Sequence, residues 1–229
     1  MKSVLSQSFT NFEVIVVDDG STDGGGDWVE RNYSCRPNLR VVRHDVNKGL
    51  GEARNTGLRN AQGDYLHFID ADDFILTGSY RYLLDNILPL ESDVIYTSFV
   101  RNGHVGDCFE NTTVSYTGNI KDYLNANSIS VLIWRKIFKR NFIEKNKLHW
   151  MPISYNEDTF FTWNALRYAG TITIWRAKIY SYRTNENSIV HNRDVARIKE
   201  SINDLLIVNQ QLKSFKKSLT LLKKLRKQN

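Results

Sequence analysis

Two short apolar runs that each end in aspartates constrain the fold of this chain most strongly. Residues 13–18 (EVIVVD) are rich in β-branched side chains, and the run at 65–69 leads into Asp70, Asp72 and Asp73. Such runs are typical of strands that are buried on both faces in a parallel sheet. Because ligands of open α/β sheets bind beyond the carboxyl ends of the strands, we expect both acidic groups at one edge.

The spacing of Asp70 and Asp72 predicts a metal site. Alternate residues of an extended segment point the same way, so both carboxylates could face one cation. Mg²⁺ and Mn²⁺ prefer carboxylate oxygen and leave room for substrate phosphates. An ordinary acidic turn is the alternative, and this motif alone does not decide between them. Asp73 points the other way and is predicted to be structural.

Length and cysteine content limit the class of protein. The chain has 229 residues, enough for one sizeable α/β domain with an appendage. Its two cysteines, Cys35 and Cys108, lack metal-ligand spacing and suit a reducing cytosol. No apolar run approaches the ~18–20 residues that span a bilayer. We therefore expect a cytoplasmic protein.

The positive charge is concentrated at the C-terminal end. The formal net charge is +6, but residues 213–229 hold seven Lys or Arg and no acid. The rest of the chain holds 24 Lys and Arg against 25 Asp and Glu. A nucleic-acid-binding surface spread over the body of the protein is therefore not indicated.

The order of predicted elements indicates the fold class. A helix near 27–33, a strand at 39–43 and a helix near 51–61 separate the two apolar runs. A helix near 79–88 and a strand at 93–99 follow. Strands and helices that alternate at these intervals predict βαβ units and a doubly wound sheet.

Several segments resemble the signatures of family 2 glycosyltransferases. Residues 16–24 (VVDDGSTDG), 47–57 (NKGLGEARNTG) and 68–73 (FIDADD) match the three N-terminal signatures in order and spacing. Residues 134–140 (WRKIFKR) and 156–160 (NEDTF) resemble the acceptor-side signatures. Residues 182–185 (YRTN), together with Ser188, resemble the closing signature. Each motif alone is weak, but together and in order they are a specific match.

The resemblance implies a fold and a reaction. The fold would be the α/β nucleotide-diphospho-sugar transferase fold called GT-A, with a mixed, doubly wound sheet over residues 1–192. Residues 1–100 would bind the nucleotide sugar, and residues 101–192 would bind the acceptor. The reaction would be inverting transfer of a sugar, from a UDP-sugar in our reading, to a hydroxyl of a glycan or lipid-linked acceptor. Such transfer extends a cell-surface polysaccharide.

The resemblance also assigns roles around the donor. Asp70 and Asp72 would hold Mn²⁺ or Mg²⁺ and the donor ribose, with Asp72 the direct metal ligand. The remaining donor contacts would come from four residues, namely Asp18, Asp19, Arg54 and Asn55.

On the acceptor side, Asp158 matches the general base of the family, and general-base catalysis is worth typically ~10²–10⁴-fold. Glu157 would raise its proton affinity or orient the acceptor, and Trp134 would lie near the acceptor. Purely structural roles stay open for these residues. Acids such as Glu157 and Asp158 are common in the first turn of a helix, where they favour the helix dipole. Arg54 could pair with Glu52 or Glu30 at the surface.

The chain departs from the family pattern at its N-terminal side. The family opens with a strand before a helix, and this chain begins within that helix, so it is truncated relative to the pattern. We expect a sheet that lacks a central strand and exposes an apolar edge. A non-catalytic nucleotide-sugar-binding remnant or scaffold is therefore the alternative function. A nucleotidyltransferase is a third, for which the acids at 157–158 have no evident use.

Residues 193–229 are predicted to form a basic amphipathic helix. The predicted apolar face consists of Ile198, Ile202, Leu205, Leu206 and Val208/Asn209. The apolar residues that then alternate with the seven cations are Leu212, Phe215, Leu219, Leu222 and Leu225. A helix of this kind fits an anionic membrane surface, where each Lys or Arg contributes ~1 kcal/mol. A solvated helix packed on the domain or on a partner subunit is the alternative.

Overall fold

The computed structural model describes residues 1–104, 107–110, 113–184 and 195–226. Asn185 and Ser188 of the closing signature lie outside them. The helices of the described residues are α1 (Lys2–Leu5), α2 (Gly25–Tyr33), α3 (Leu50–Asn60), α4 (Ser79–Tyr82), α5 (Ile120–Ala126), α6 (Arg140–Lys145), α7 (Glu157–Tyr168) and α8 (Val195–Arg226). The strands are β1 (Val14–Asp18), β2 (Leu39–Arg43), β3 (Tyr65–His67), β4 (Phe74–Ile75), β5 (Val94–Arg101), β6 (Val114–Asn119), β7 (Lys136–Lys139) and β8 (Thr171–Tyr182).

The strands form two sheets. β1 and β2 pair in parallel as a two-stranded sheet. The other sheet has six strands in the order β3-β7-β5-β8-β4, with β6 also paired to β8. β7 runs antiparallel to both β3 and β5, whereas β5 and β8 are parallel. The α/β class with a mixed sheet is therefore confirmed.

The burial predicted for the first apolar run is wrong. All five residues of β1 are only partly buried. Among the described strands β1 pairs with β2 alone, so its other edge makes no sheet hydrogen bonds. A strand paired on one side cannot be enclosed like the central strand of a parallel sheet. Helix α3 packs on β1 and covers part of its surface.

The hydrophobic core lies in the larger sheet, where β5, β7 and β8 meet. Val94, Ile95, Phe138, Ile172 and Ile174 are fully buried there. Thr173 and Trp175, which alternate with the two isoleucines along β8, are also fully buried, as expected for a strand covered on both faces. The core therefore lies in the sheet that also carries β3, whose carboxyl end leads into Asp70.

The predicted helix near 79–88 is irregular. An α-helical turn, α4, passes into a π-helical segment at Leu83–Ile87 and a 3₁₀ turn at Leu88–Leu90. Pro89 lies inside the 3₁₀ turn and has no N–H to continue an α-helix. The helix therefore ends near the residue at which the proline predicts its end.

The C-terminal helix packs against the domain, as the alternative to a membrane contact predicts. Val208 and Leu212 are buried, and α8 contacts α5 and α7. Val208 belongs to the predicted apolar face, whereas the other apolar residues of that face are exposed, namely Ile198, Ile202, Leu205 and Leu206. The described side chains of α8 end at Lys213. No helix within the described ranges is long and apolar enough to cross a membrane.

Candidate functional site

A buried arginine joins three acids that are far apart in sequence. The side chain of Arg54 is 7% exposed. Its Nη1 donates to Glu157 Oε1 at 3.0 Å and to Asp158 Oδ1 at 2.5 Å, and its Nη2 donates to Asp70 Oδ1 at 3.1 Å. We call these four residues the Arg54 cluster. Surface pairing of Arg54 with Glu52 or Glu30 is wrong, because those acids pair with other arginines.

Three elements position the cluster. Arg54 lies in the middle of α3, Asp70 follows β3, and the two acids begin α7. Helix α3 approaches the segment before α7 closely at Gly51, where a Cβ atom would lie 2.9 Å from the carbonyl oxygen of Met151. Asn55 fixes the same contact, since its amide donates to the Trp150 oxygen at 3.0 Å and accepts from the Trp150 nitrogen at 2.8 Å. Its predicted donor contact stays a prediction.

Charge is unevenly balanced in the cluster. The three carboxylates raise the pKa of Arg54 despite its burial, so the guanidinium stays charged. Burial raises the pKa of Asp70, with Arg54 opposing and Asp158 adding to the shift. Burial and the neighbouring Asp158 raise the pKa of Glu157. Three acids facing one arginine therefore favour binding of a further cation or proton.

Asp158 has a second fixed contact. Its Oδ2 accepts the backbone N–H of Ile133 at 3.1 Å, in the turn before β7. The same turn is held by Lys136, a fully buried lysine whose Nζ donates to the Leu132 oxygen at 2.6 Å. Burial lowers the pKa of Lys136 to about 7, although Asp158 opposes the shift. A carboxylate has about four acceptor positions, so Asp158 keeps capacity for a substrate hydroxyl.

The acidic group after β3 is a turn and not an extended segment. The Asp73 N–H donates to the Asp70 carbonyl oxygen at 3.1 Å, which closes a four-residue turn. The alternation by which Asp70 and Asp72 would face one ion therefore does not apply, and Asp72 is exposed. Asp73 is buried and accepts from Tyr180 Oη at 2.5 Å and from the Arg183 N–H at 2.7 Å. Its contacts show that it is structural.

Asp18 and Asp19 lie in a second acidic region. Asp18 Oδ1 accepts the Ser21 N–H at 2.9 Å, and this bond lowers the pKa of Asp18. Asp19 Oδ1 contacts His44 Nδ1 at 2.6 Å, and the N–H groups of Lys48 and Gly49 donate to its carboxylate at 2.9 and 2.8 Å. These bonds lower the pKa of Asp19 against the effect of burial. We call Asp18, Asp19 and residues 44–49 the Asp19 loop.

Helix α3 links the two acidic regions. His44, which contacts Asp19, places Nε2 2.8 Å from Thr56 Oγ1, two residues after Arg54 on α3. The Arg54 cluster and the Asp19 loop are thus attached to neighbouring positions of one helix. Residues two apart on a helix do not share a face, and the strands that precede the two acidic regions belong to different sheets. Helix α3 therefore connects the two regions, but they do not share one sheet edge as the sequence predicted.

Trp134 and His67 lie in the core. Trp134 is 4% exposed and stacks on Tyr180 and Tyr182, with ring centroids 4.6 and 5.7 Å away. Its predicted acceptor contact stays a prediction, and the ring position favours a packing role. His67 contacts Tyr80 Oη at 2.8 Å and the Trp134 oxygen at 2.9 Å. Burial lowers the pKa of His67 to about 4, so it is a neutral core histidine.

Comparison with known proteins supplies the family. The family model described as glycosyl transferase family 2 matches residues 1–204. The chain belongs to glycosyl transferase family 2. It is 29% identical over 196 residues to a protein named "Uncharacterized glycosyltransferase EpsJ" of Bacillus subtilis (strain 168), covering 82% of this chain and 57% of that one. Over 188 residues it is 31% identical to the poly(ribitol-phosphate) beta-N-acetylglucosaminyltransferase TarS of Staphylococcus aureus (strain MW2), covering 80% of this chain and 32% of that one.

Solved structures confirm the fold. TarS residues 1–349 in complex with UDP-GlcNAc match with a TM-score of 0.70 and 26% identity, covering 85% of this chain and 56% of that one. The same protein in complex with UDP matches with a TM-score of 0.67, covering 81% of this chain and 55% of that one. The fold of this family 2 chain is therefore GT-A. The chain spans little more than half the length of several of these relatives, and about a third of full-length TarS.

Sequence reasoning missed several residues that shape the site. Tyr180 donates to Asp73 and accepts the Asp70 N–H at 3.2 Å, so it fixes both ends of the acidic turn. Lys136 lies within the matched segment 134–140, but nothing in that segment predicts its contact with the Leu132 oxygen, and no pattern points to His44. Their neighbours in sequence belong to the matched signatures, but the partners that they contact lie on other segments. Only the three-dimensional arrangement reveals those contacts.

Proposed function

We propose that this family 2 chain transfers a sugar, with inversion, from a UDP-sugar to a hydroxyl group of a glycan or lipid-linked acceptor in cell-surface polysaccharide biosynthesis. The observation that carries the proposal is the Arg54 cluster. It joins the predicted donor acid Asp70 to the predicted base Asp158 through one buried guanidinium. A transferase needs these two groups at one place, because the nucleophile must reach the carbon that the diphosphate leaves.

In this proposal Asp158 is the general base. It accepts the proton of the acceptor hydroxyl while that oxygen attacks the anomeric carbon on the face opposite the nucleotide. The contacts to Arg54 and Ile133 hold the carboxylate in one orientation before the acceptor arrives. Glu157 lies beside it on the same guanidinium, where it can orient the acceptor.

Although they lie in a turn and not on one face of an extended segment, Asp70 and Asp72 would hold Mn²⁺ or Mg²⁺. Within the described part of the chain no three acids, histidines or cysteines group as a metal site. Mg²⁺ is commonly bound by one or two carboxylates together with substrate phosphates, so two aspartates and a donor diphosphate suit it. The excess of carboxylates in the Arg54 cluster favours a cation as well. When bound, the metal would neutralise charge on the leaving diphosphate.

Asp18 and Asp19 are proposed to contact the base and ribose of the donor. TarS, which resembles this chain over the same region, has been solved with UDP and with UDP-GlcNAc, which supports a nucleotide-sugar donor here. Gly26 lies so close to Asp18 that a Cβ atom would collide with its carboxylate. The close packing fixes the position of Asp18 at the end of β1.

The proposal predicts donor turnover that depends on metal. The purified chain should release UDP from one or more members of a panel of UDP-sugars that includes UDP-GlcNAc. EDTA should abolish the release, and added Mn²⁺ or Mg²⁺ should restore it. Release that EDTA does not affect would contradict the metal assignment. UDP binding without release from any donor would instead support the non-catalytic alternative.

We further propose that α8 contacts the cytoplasmic face of an anionic membrane. The exposed apolar residues of α8 precede a segment with seven cations and no acid, which suits such a surface. Replacing Ile202 and Leu206 together by serine should reduce sedimentation with phosphatidylglycerol vesicles but not with phosphatidylcholine vesicles. Sedimentation equal to that of the unchanged chain would favour packing on another protein.

A further inference from the structure

The segment that precedes Glu157 and Asp158 is attached to α8. Ser154, Tyr155 and Asn156 lead directly into Glu157, the first residue of α7. Asp204 of α8 accepts both N–H groups of this segment at one oxygen, from Ser154 at 3.0 Å and from Tyr155 at 2.8 Å. Asp204 is itself buried.

Two further contacts join the same parts. Ser154 Oγ donates to Glu200 Oε1 at 2.7 Å. The side-chain amide of Asn156 donates to Ser201 O at 3.1 Å and to Ser201 Oγ at 3.3 Å. Asn156 has a left-handed backbone, with φ of 63°, and its side chain makes no capping bond to α7. The residue that would ordinarily cap α7 therefore bonds to α8 instead.

We propose that Asp204 is a positioning residue for the Glu157–Asp158 pair, acting through the backbone at 154–155. The inference rests on the proposed function, because it concerns the reaction that Asp158 would serve. Asp158 has fixed partners in Arg54 and Ile133, so its carboxylate is correctly oriented only while the start of α7 stays in place. A shift of about 1 Å in a reacting group can cost roughly 10²-fold in rate.

A positioning role for Asp204 depends on its acceptor oxygen, whereas a general packing role would depend on apolar contact. Val208 and Leu212 already pack α8 onto the domain by apolar contact. Asp204 adds one acceptor that joins two backbone N–H groups, those of the exposed Ser154 and the half-buried Tyr155, to α8. The acceptor oxygen, and not the negative charge, is therefore the property that the proposal requires.

Two substitutions of Asp204 separate these roles. Asp204→Asn keeps an oxygen where both N–H groups can donate, and Asp204→Leu removes it at similar volume. We expect Asp204→Leu to lower UDP release roughly 10²-fold, the loss that a misplaced reacting group can cause. Asp204→Asn should stay near the unchanged chain, as should Asn203→Ala, an exposed neighbour on α8. Calorimetric UDP binding should keep its stoichiometry and Kd in all three, which excludes loss of folded protein as the cause.

Other results would overturn the inference. The inference is contradicted if the Asp204→Leu variant binds UDP and releases it from donors at the rate of the unchanged chain. It is also contradicted if Asp204→Asn and Asp204→Leu lose equal amounts of turnover. If Asp204→Leu does not fold, Asp204→Ala replaces it, because alanine removes the acceptor of both N–H groups without adding bulk. Its turnover should fall with UDP binding retained, and unchanged turnover refutes the inference. An unchanged chain that releases no UDP from any UDP-sugar would refute the proposed function first.

Discussion

The Arg54 cluster and the Asp19 loop both contain aspartates that follow a strand, but different partners neutralise them. In the Asp19 loop the partners are backbone N–H groups and one histidine. In the Arg54 cluster one buried guanidinium forms ion pairs with acids from two distant segments. The pKa of Asp19 is accordingly lowered, whereas burial raises the pKa of Asp70. The loop stabilises its own charge, while the cluster retains unbalanced negative charge for a ligand.

The largest effect is expected from removing the shared cation of the cluster. Arg54→Leu would leave three partly buried acids without their shared partner. Breaking a buried pair in this way typically costs ~3–5 kcal/mol, so the denaturant midpoint should fall strongly. Arg59→Leu on the same helix is the control, since its pair with Glu52 is exposed and worth only ~0–1 kcal/mol. If both variants lose the same free energy of unfolding, the buried Arg54 cluster contributes no more to stability than an exposed ion pair.

A smaller effect is expected at Lys136. Burial lowers its pKa to about 7, so between pH 7 and 10 the unfolded chain binds more protons than the folded one. Stability should then rise with pH over this range, and the cost of burying the charge should be greatest below pH 7. Lys136→Met should therefore stabilise the protein by roughly 2 kcal/mol more at pH 6 than at pH 9. Chemical denaturation at both pH values measures this difference. If the difference is zero, the lowered pKa of Lys136 is contradicted.

The smallest effect is expected in the Asp19 loop. Asp19→Asn weakens charge-assisted bonds and should cost about 1–2 kcal/mol at pH 7. Because the folded pKa of Asp19 is lowered, this contribution is present at neutral pH and is lost as the pH falls through that pKa. The two chains should therefore converge in stability only at a pH below the ordinary pKa of an aspartate. UDP affinity should also fall, and a variant that binds UDP normally would remove Asp19 from the donor site.

Local elements were predictable because local signals determine them. Strand β2 has the predicted bounds at Leu39–Arg43, and α3 differs by one residue at each end. The sheet order was not predictable in the same way. The antiparallel strand β7 lies between β3 and β5, and such long-range pairing depends on packing that no local pattern encodes.

The same contrast holds for the site. The family resemblance predicted that Asp70, Glu157 and Asp158 belong to one site. In the structure all three accept hydrogen bonds from Arg54. The resemblance could not identify the partner of Arg54, since an arginine on a helix has several acids within reach in sequence. It also could not reveal Asp204, whose role depends on how α8 folds back onto residues 154–155.

The most direct test of the account is Asp158→Asn. The amide can keep the bond from the Ile133 N–H, so the fold and UDP binding should be retained. Loss of the general base should lower UDP-sugar turnover about 10²–10⁴-fold. Asp85→Asn, at an exposed acid paired with Arg81, is the matched control and should leave turnover unchanged. Turnover near that of the unchanged chain in Asp158→Asn would contradict the role of the Arg54 cluster as the catalytic site.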